Sequence, residues 1–385
     1  MTEGAAAPRA IFVSEPAFLS AAIPGGVQKC TAEFVSLVRA AGFDVRFHPI
    51  TTSPAVAARL RIRLGIDVYD RYDVEAHAAE IARAAAQAGV SLVLLNQVEL
   101  APLAPRLRAL LPAGTLIVVL SHGNASGDFL HAMSQPGRHA TARARDAWRL
   151  GALLASEAVC FRGDDVDVVV CVSETERQID AWLGARHVVV VPRVFAPAYL
   201  DWAPAPGRVG VVGTLDHLPN YNGIEQLAQA LTGEDIPQLA LHVAGGGERE
   251  GRALERRFPF VRWVGQLDDP ALRAEAATWS LFVNPIFWHA RGTSMKLATA
   301  IEWGIPVVTT PAGRRGYEWR DGELPQPVEA SDMSRTIAAL LADDAGLRDL
   351  QAQVRRVARS GPSVSELAAV LSGELDRARH RRSRR

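Results

Sequence analysis

Lysine is almost missing from this chain: among its 42 Lys and Arg residues only Lys29 and Lys296 are lysines. A compact ammonium is chemically distinct from a guanidinium, so the two positions that keep it are candidates for a specific task. Net charge is also missing. The 42 Lys and Arg balance 42 Asp and Glu, which argues against a generally basic nucleic-acid binder. With 22% charged and 48% hydrophobic residues, the composition is not that of a disordered chain. No apolar run reaches the ~20 residues of a membrane span. The opening stretch from Met1 to Pro8 carries Glu3 and lacks the basic-then-apolar order of a signal peptide. Cysteine is scarce: Cys30, Cys160 and Cys171 are odd in number, without metal-ligand spacing, and each has apolar neighbours. They read as reduced core residues of a cytoplasmic protein, and no metal site is expected.

At 385 residues the chain exceeds the ~250–300 at which single cores stop growing, so two domains are expected. Short β-rich runs alternate with longer segments of helical period, the pattern of parallel α/β sheets. In the first half strands are predicted at Arg9–Ser14, Phe43–His48, Val90–Leu95, Leu116–Ser121, Val166–Val172 and His187–Val191. Between the first two, Val27, Cys30, Phe34, Leu37, Val38 and Ala41 recur at helical spacing, and Gly42 closes the helix. Ala78–Ala88 and Arg138–Val159 also read as helices. A second cycle predicts strands at Val209–Thr214, Leu239–Ala244, Val261–Val264, Ser280–Asn284 and Pro306–Thr309. Its helices fall near Gly223–Leu231, Arg249–Arg257, Pro270–Thr278, Ser294–Trp303 and Ala330–Ala342. The segment from Thr51 to Tyr72 gives no clear pattern. Pro192, Pro197, Pro204 and Pro206 give a linker composition. The expected division is a Rossmann-like domain over 1–195, a Pro-rich linker over 196–207, a second Rossmann-like domain over 208–360, and a C-terminal helix with an Arg-rich tail over 361–385. Ligands are expected at the carboxyl ends of the sheets. The closing arginines read as a solvated tail or as an attraction for anionic lipid.

Four strand-to-helix loops carry the candidate chemistry. Pro24-Gly25-Gly26-Val27-Gln28 opens the first helix, where paired glycines permit close approach and free amides favour an anion; a plain turn accounts for the glycines equally well. Ser121-His122-Gly123-Asn124 sets a histidine at a strand end, placed to meet a sugar hydroxyl or a reacting oxygen. Asp128, His131 and His139 follow in a polar stretch. Ala244-Gly245-Gly246-Gly247-Glu248 can floor a pocket for a base or a phosphate. Arg291-Gly292-Thr293-Ser294-Met295-Lys296 joins an N-cap, a positive helix end and the scarce Lys296 at one point. A diphosphate is its simplest partner.

The order of these motifs resembles the GT-B fold glycosyltransferases of family GT4, glycosyl transferase group 1, from about Arg9 to Gly316. Gly25-Gly26-Val27-Gln28 is similar to the family's N-terminal glycine loop. Val172-Ser173-Glu174 and Val191-Pro192 resemble the strand ends that precede its linker. Val212-Gly213-Thr214-Leu215-Asp216 with Pro219-Asn220 and Gly223 is similar to the opening of the donor domain. Val243 to Gly247 and Val264-Gly265 fit the next two strand ends. The most specific likeness is Gly292-Thr293-Ser294-Met295-Lys296 followed by Gly304-Ile305-Pro306-Val307-Val308-Thr309-Thr310.

The resemblance implies transfer from a nucleotide-diphosphate sugar to an acceptor hydroxyl in carbohydrate or glycoconjugate biosynthesis, with retention, no cofactor and no obligatory metal. It implies donor binding by the C-terminal domain and acceptor binding by the N-terminal one. Lys296 would neutralise the departing diphosphate, aided by Gly292, Thr293 and Ser294. His122 would lie near the transferred sugar, Gly25 and Gly26 near the phosphates, and Gly213, Gly245, Gly246 and Arg291 in the donor site. Asn124 and Asp128 are candidates for the acceptor. The chain departs from the family's Glu-x7-Glu pair, whose positions hold Arg291 and Thr299; Glu302, three residues on, is the candidate substitute for holding the ribose. Asn222 stands near where many relatives carry a basic phosphate ligand. The alternatives are a catalytically silent nucleotide-sugar-binding scaffold and a GT-B fold nucleotide-sugar epimerase. The expected partners are the donor and an unknown glycan, lipid-linked or small-molecule acceptor, with no nucleic acid. The location is cytoplasmic, with a membrane's inner face reached through the Arg-rich C-terminus.

Overall fold

A computed structural model describes residues 7–19, 25–53, 56, 60–61, 69–133, 140–288, 291–317 and 327–384. The chain divides into two units, Met1–Val194 with Pro362–Arg385, and Phe195–Gly361. Most of the unplaced segment from Thr51 to Tyr72 falls outside the described residues.

The first unit holds a parallel sheet in the order β2-β1-β3-β4-β5-β6. Its strands are β1 Arg9–Ser14, β2 Asp44–Pro49, β3 Leu92–Asn96, β4 Leu116–Leu120, β5 Val168–Cys171 and β6 Val188–Val190. Residues of β3, β4 and β5 are buried throughout, as expected of a parallel sheet covered on both faces. Side chains alternate between two cores. Ile11, Val13, Val93, Leu95, Ile117 and Val119 face one; Ala10, Phe12, Leu92, Leu94, Leu116 and Val118 face the other, beneath the helix Gly26–Ala40. Cys30 and Cys171 are buried and free, and burial pushes each thiol up to about 12, so both behave as core residues.

The C-terminal segment is part of this unit. The helix Val364–Ser383 starts at Ser363, whose side chain and that of Glu366 form a capping box. It buries Leu367, Ala368, Leu371, Leu375 and Ala378 in the second of the two cores. The Arg-rich stretch, expected as a tail, is therefore helical through Ser383. Arg377 pairs with Glu374, Arg379 with Asp376 at 2.6 Å, and Arg382 with Asp167 at 2.8 Å.

The second unit is a five-stranded parallel sheet in the order β11-β10-β7-β8-β9. Its strands are β7 Ala205–Val212, β8 Ala240–Ala244, β9 Val261–Gly265, β10 Trp279–Asn284 and β11 Val307–Thr309. Trp279, at 0% exposure, anchors its core and needs Gly210 beneath it: a Cβ there would lie 1.8 Å from the indole. The proline segment differs from the linker expected over 196–207. Residues 205–207 belong to β7, and the residues before them are bonded to this unit. Trp202 Nε1 donates to Trp279 O at 2.6 Å, Ala203 N to Ala277 O, and Arg273 to Ala198 O. Proline cannot donate, but the residues between the prolines can, and they bind an extended strap.

Helices that the sequence reading passed over include Glu174–Leu183 and Asp344–Ser360. Both start at side-chain caps, Ser173 and Asp343. Among the described residues no helix is long and apolar enough to cross a membrane.

Candidate functional site

In the second unit the strand ends converge. Gly213 follows β7, and its amide donates to Ala244 O at 2.9 Å. Gly245 follows β8 with φ of 154°, and a Cβ there would lie 2.2 Å from Gly213 O. The glycine loop thus packs backbone on backbone, and Trp263 Nε1 closes it from behind by donating to Gly245 O at 3.0 Å.

Beside Gly213 stands Lys296, in the first turn of the helix Met295–Trp303. Its ammonium donates to Asn220 Oδ1, while Asn220 Nδ2 donates to Thr214 O at 2.7 Å. A Cβ on Gly213 would crowd both Asn220 Nδ2 at 2.9 Å and Lys296 Cε at 3.0 Å, so glycine at 213 keeps this corner open. Burial, with Arg315 nearby as a second cation, lowers the Lys296 pKa to about 7. Lys296 still keeps some contact with solvent. An anion entering here would oppose that shift by favouring the charged form of the lysine.

The helix start is held rigidly. Ser294, 3% exposed, caps the helix through its hydroxyl, which accepts from Leu297 N at 3.4 Å. Asn284, the last residue of β10 and 0% exposed, donates through Nδ2 to Ser294 Oγ, Thr309 Oγ1 and Gly313 O at 3.0, 3.1 and 2.9 Å. Tyr317 donates to Ser294 O at 3.0 Å. Gly292 takes φ of 70°, turning the chain into the cap, and Thr293 is buried against Gly316.

The sequence-predicted residues separate here. Gly213, Gly245, Lys296 and the Ser294-capped helix start come together around Asn220, with Gly246 in the same glycine loop. Arg291 lies just before the cap and its carbonyl accepts from Arg315 Nε at 3.5 Å. Thr299 donates its hydroxyl to Met295 O at 2.9 Å within its own helix. Glu302 accepts from Ala196 N at 3.2 Å, about 240° round the helix from Lys296. Asn220, Asn284, Arg315 and Tyr317 were not among the predicted site residues. Only Asn220 left a signal, in the Pro219-Asn220 pair that opens its helix.

In the first unit Gly25 is the N-cap of the helix Gly26–Ala40, with no side-chain cap bond. His122, two residues past β4, meets Asn96 Oδ1 through Nε2 at 2.8 Å, and its ring stands edge-on to Phe34 at 5.3 Å. At the end of β1 the Tyr72 hydroxyl donates to Glu15 Oε1 at 2.5 Å, a pair the sequence did not announce. Asn124, expected at the acceptor, is instead 2% exposed and donates to Asp180 Oδ1 at 2.7 Å. It anchors its loop to the helix Glu174–Leu183. Burial, opposed by that hydrogen bond, pushes the Asp180 carboxyl up to about 7. Glu157, also raised by burial, accepts from Ser126 N and from the Tyr69 hydroxyl. The Asp128 and His131 side chains and all of His139 lie outside the described residues. Among the described residues no group of three His, Cys, Asp or Glu could hold a metal ion.

Residues 206–343 match the family described as Glycosyl transferases group 1. No curated protein matches the chain. Among solved structures, sucrose-phosphate synthase from Thermosynechococcus elongatus aligns with a TM-score of 0.68 and 19% identity, over 96% of this chain and 98% of that one. The lipopolysaccharide outer core galactosyltransferase WaaB in its apo form aligns with a TM-score of 0.58 and 13% identity, over 96% and 98%. TarM aligns with a TM-score of 0.58 and 12% identity, over 74% of this chain and 54% of TarM. At these identities the structural likeness speaks for the fold, two parallel-sheet domains of GT-B type.

Proposed function

We propose, for a chain that carries a group 1 glycosyl transferase domain on a GT-B fold, that its second unit binds a nucleotide-diphosphate sugar and its first unit the acceptor hydroxyl. The observation that carries this reading is the Lys296 corner. An ammonium whose pKa burial and Arg315 have lowered stands at a capped helix start beside Gly213, its bonded partner the neutral amide of Asn220. Positive charge concentrated there stabilises a diphosphate, and stabilises it more as negative charge grows on the departing group. In this mechanism Lys296 and the positive end of the helix take up that charge, and Asn220 orients the ammonium. His122, at the strand end of the first unit, meets a hydroxyl of the transferred sugar or the acceptor. Retention at the sugar and independence from metal belong to the same reading, as does a cytoplasmic location. Contact with an anionic membrane through the C-terminus would fall to the arginines after Arg382, because Arg377, Arg379 and Arg382 are engaged within the chain and Arg381 Nη2 is buried.

The test is calorimetric binding of UDP, GDP, ADP and CDP to the full chain and to Lys296→Ala. One diphosphate is expected to bind, and Lys296→Ala is expected to weaken it more than tenfold, about 1.4 kcal/mol. A second reading, a silent nucleotide-sugar-binding scaffold, is favoured by Thr299: its hydroxyl is satisfied within the helix where the resembling family carries a ribose-binding Glu. Diphosphate binding without turnover on any acceptor would favour that reading. No binding at millimolar concentration would remove the donor site itself.

A further inference from the structure

The structure assigns Asn96 as the positioning residue of His122, fixing its imidazole with the proton on Nε2 and the lone pair on Nδ1. Asn96 ends β3, which lies between β1 and β4, so the ends of both neighbours flank its side chain. It is 1% exposed. Its amide nitrogen donates to Ser14 Oγ at 3.0 Å, at the end of β1, and to Thr31 Oγ1 at 3.1 Å, in the helix Gly26–Ala40. Those two bonds use both amide hydrogens. Ser14 Oγ itself donates to Glu15 O at 3.1 Å, so toward Asn96 it is an acceptor. That fixes which end of the amide faces it.

The amide oxygen is thereby turned to His122 Nε2 at 2.8 Å. A carbonyl oxygen can only accept, so the neutral ring carries its hydrogen on Nε2 and leaves Nδ1 as the acceptor nitrogen. The ring's tilt is held by Phe34, edge-on at 83° and itself buried. The backbone beneath is fixed by Gly123 N on Ser121 Oγ at 3.3 Å and by Asn124 on Asp180. Because the partner is a neutral amide, the ring gains no ionic stabilisation of its protonated form from Asn96. A hydroxyl that meets the neutral ring at Nδ1 meets an acceptor. The choice of hydroxyl rests on the proposed transfer reaction; the tautomer does not.

The test is nitrogen-15 NMR of the His122 ring in the full chain, titrated alongside the pH profile of transfer. The wild type is expected to show the Nε2–H tautomer when neutral. Asn96→Asp places a carboxylate against Nε2–H and is expected to raise the ring's titration midpoint by about one to three pH units, with the pH–rate profile moving in step. Ser14→Ala, a milder change for a chain that tolerates Asn96→Asp poorly, removes one anchor of the amide and is expected to admit the second tautomer. A merely structural asparagine would change thermal stability and leave tautomer and midpoint where they were. A wild-type Nδ1–H tautomer, or a midpoint unmoved in folded Asn96→Asp, would overturn the assignment. A correct tautomer with turnover unaffected by His122→Ala would leave the assignment standing and remove His122 from the reaction.

Discussion

Both sheets end a strand on a buried asparagine, and the two units use it differently. Asn96 gives its amide hydrogens to two hydroxyls and its oxygen to His122. Asn284 gives its amide nitrogen to Ser294, Thr309 and Gly313, while its oxygen is buried with no hydrogen-bond partner among the described residues. One asparagine therefore orients a side chain, and the other holds a helix start. The first unit presents an imidazole whose direction is set by neighbours on three elements. The second presents backbone and one ammonium on a rigid cap. A hydroxyl suits the first arrangement, and an anion suits the second.

The sharpest way to break this comparison is to delete the functional group in each unit. Lys296→Ala is expected to lower turnover by about 100- to 1,000-fold, the range for removing one preorganised electrostatic group. His122→Ala removes a single hydrogen bond of about 1.5 kcal/mol and should cost roughly tenfold. Steady-state rates with donor and acceptor check both. If the histidine costs more than the lysine, the first unit carries the charge development and the assignment of roles is reversed.

Next in size is the asparagine without a ligand. Asn284→Ala strips the donor from Ser294 Oγ, Thr309 Oγ1 and Gly313 O together, and a cost of about 3 kcal/mol to the second unit is expected. Calorimetry should show the second unit melting earlier. Amide exchange should quicken around residues 284–317 and stay unchanged across the first sheet. Equal loosening of both units would mean that Asn284 is not confined to the cap.

Much of this was legible in the sequence, for identifiable reasons. The parallel strands were, because buried β-branched runs such as Leu116–Leu120 admit few other readings. Lys296 and its capped helix start were, because scarcity and capping chemistry are local. Asn220, Arg315 and Tyr317 were not, since they reach the site only through tertiary contact. The docking of the last helix was invisible for the same reason. Leu367, Leu371 and Leu375 declare an apolar stripe, but nothing in the stripe says that it covers the first sheet. The strap before β7 misled because proline density implies a free linker, whereas the hydrogen bonds come from the residues between the prolines.

Two titrations sharpen the contrast further. With Lys296 lowered from its ordinary 10.5 to about 7, the folded protein holds fewer protons than the unfolded one between those values. This group's contribution to stability therefore rises with pH across that window. Diphosphate binding runs the other way. Above about pH 7 the ligand must bring a proton with it, so affinity should fall by up to tenfold per pH unit, and calorimetry in buffers of different ionisation heat should register the uptake. In the first unit Asp180, raised from 3.8 to about 7, makes the folded protein hold more protons between those values. Stability is then lost as pH rises toward 7. Asp180→Asn keeps the acceptor for Asn124 without the charge, and should raise Tm at pH 8 by several degrees more than at pH 4. A gain that did not change with pH would mean that Asp180 stays ionised in the fold.

The smallest expected effect bears on the ribose. Sequence spacing made Glu302 the substitute for the carboxylate absent at Thr299. In the structure the Glu302 carboxylate meets Ala196 N at 3.2 Å, and its carbonyl accepts from Ala198 N at 2.8 Å. Both bonds fasten the strap that precedes β7. A side chain so engaged, and about 240° round the helix from Lys296, has a structural task within the second unit. Glu302→Ala should therefore leave diphosphate affinity within about twofold, well under the 1.4 kcal/mol of a tenfold change, while quickening amide exchange at Ala196, whose side-chain partner it removes. A tenfold loss of affinity with exchange unchanged would return Glu302 to the ribose and make the strap contact incidental. Retained affinity would leave the donor site without a ribose carboxylate, so that the diphosphate, held at Lys296, dominates nucleotide recognition in this chain.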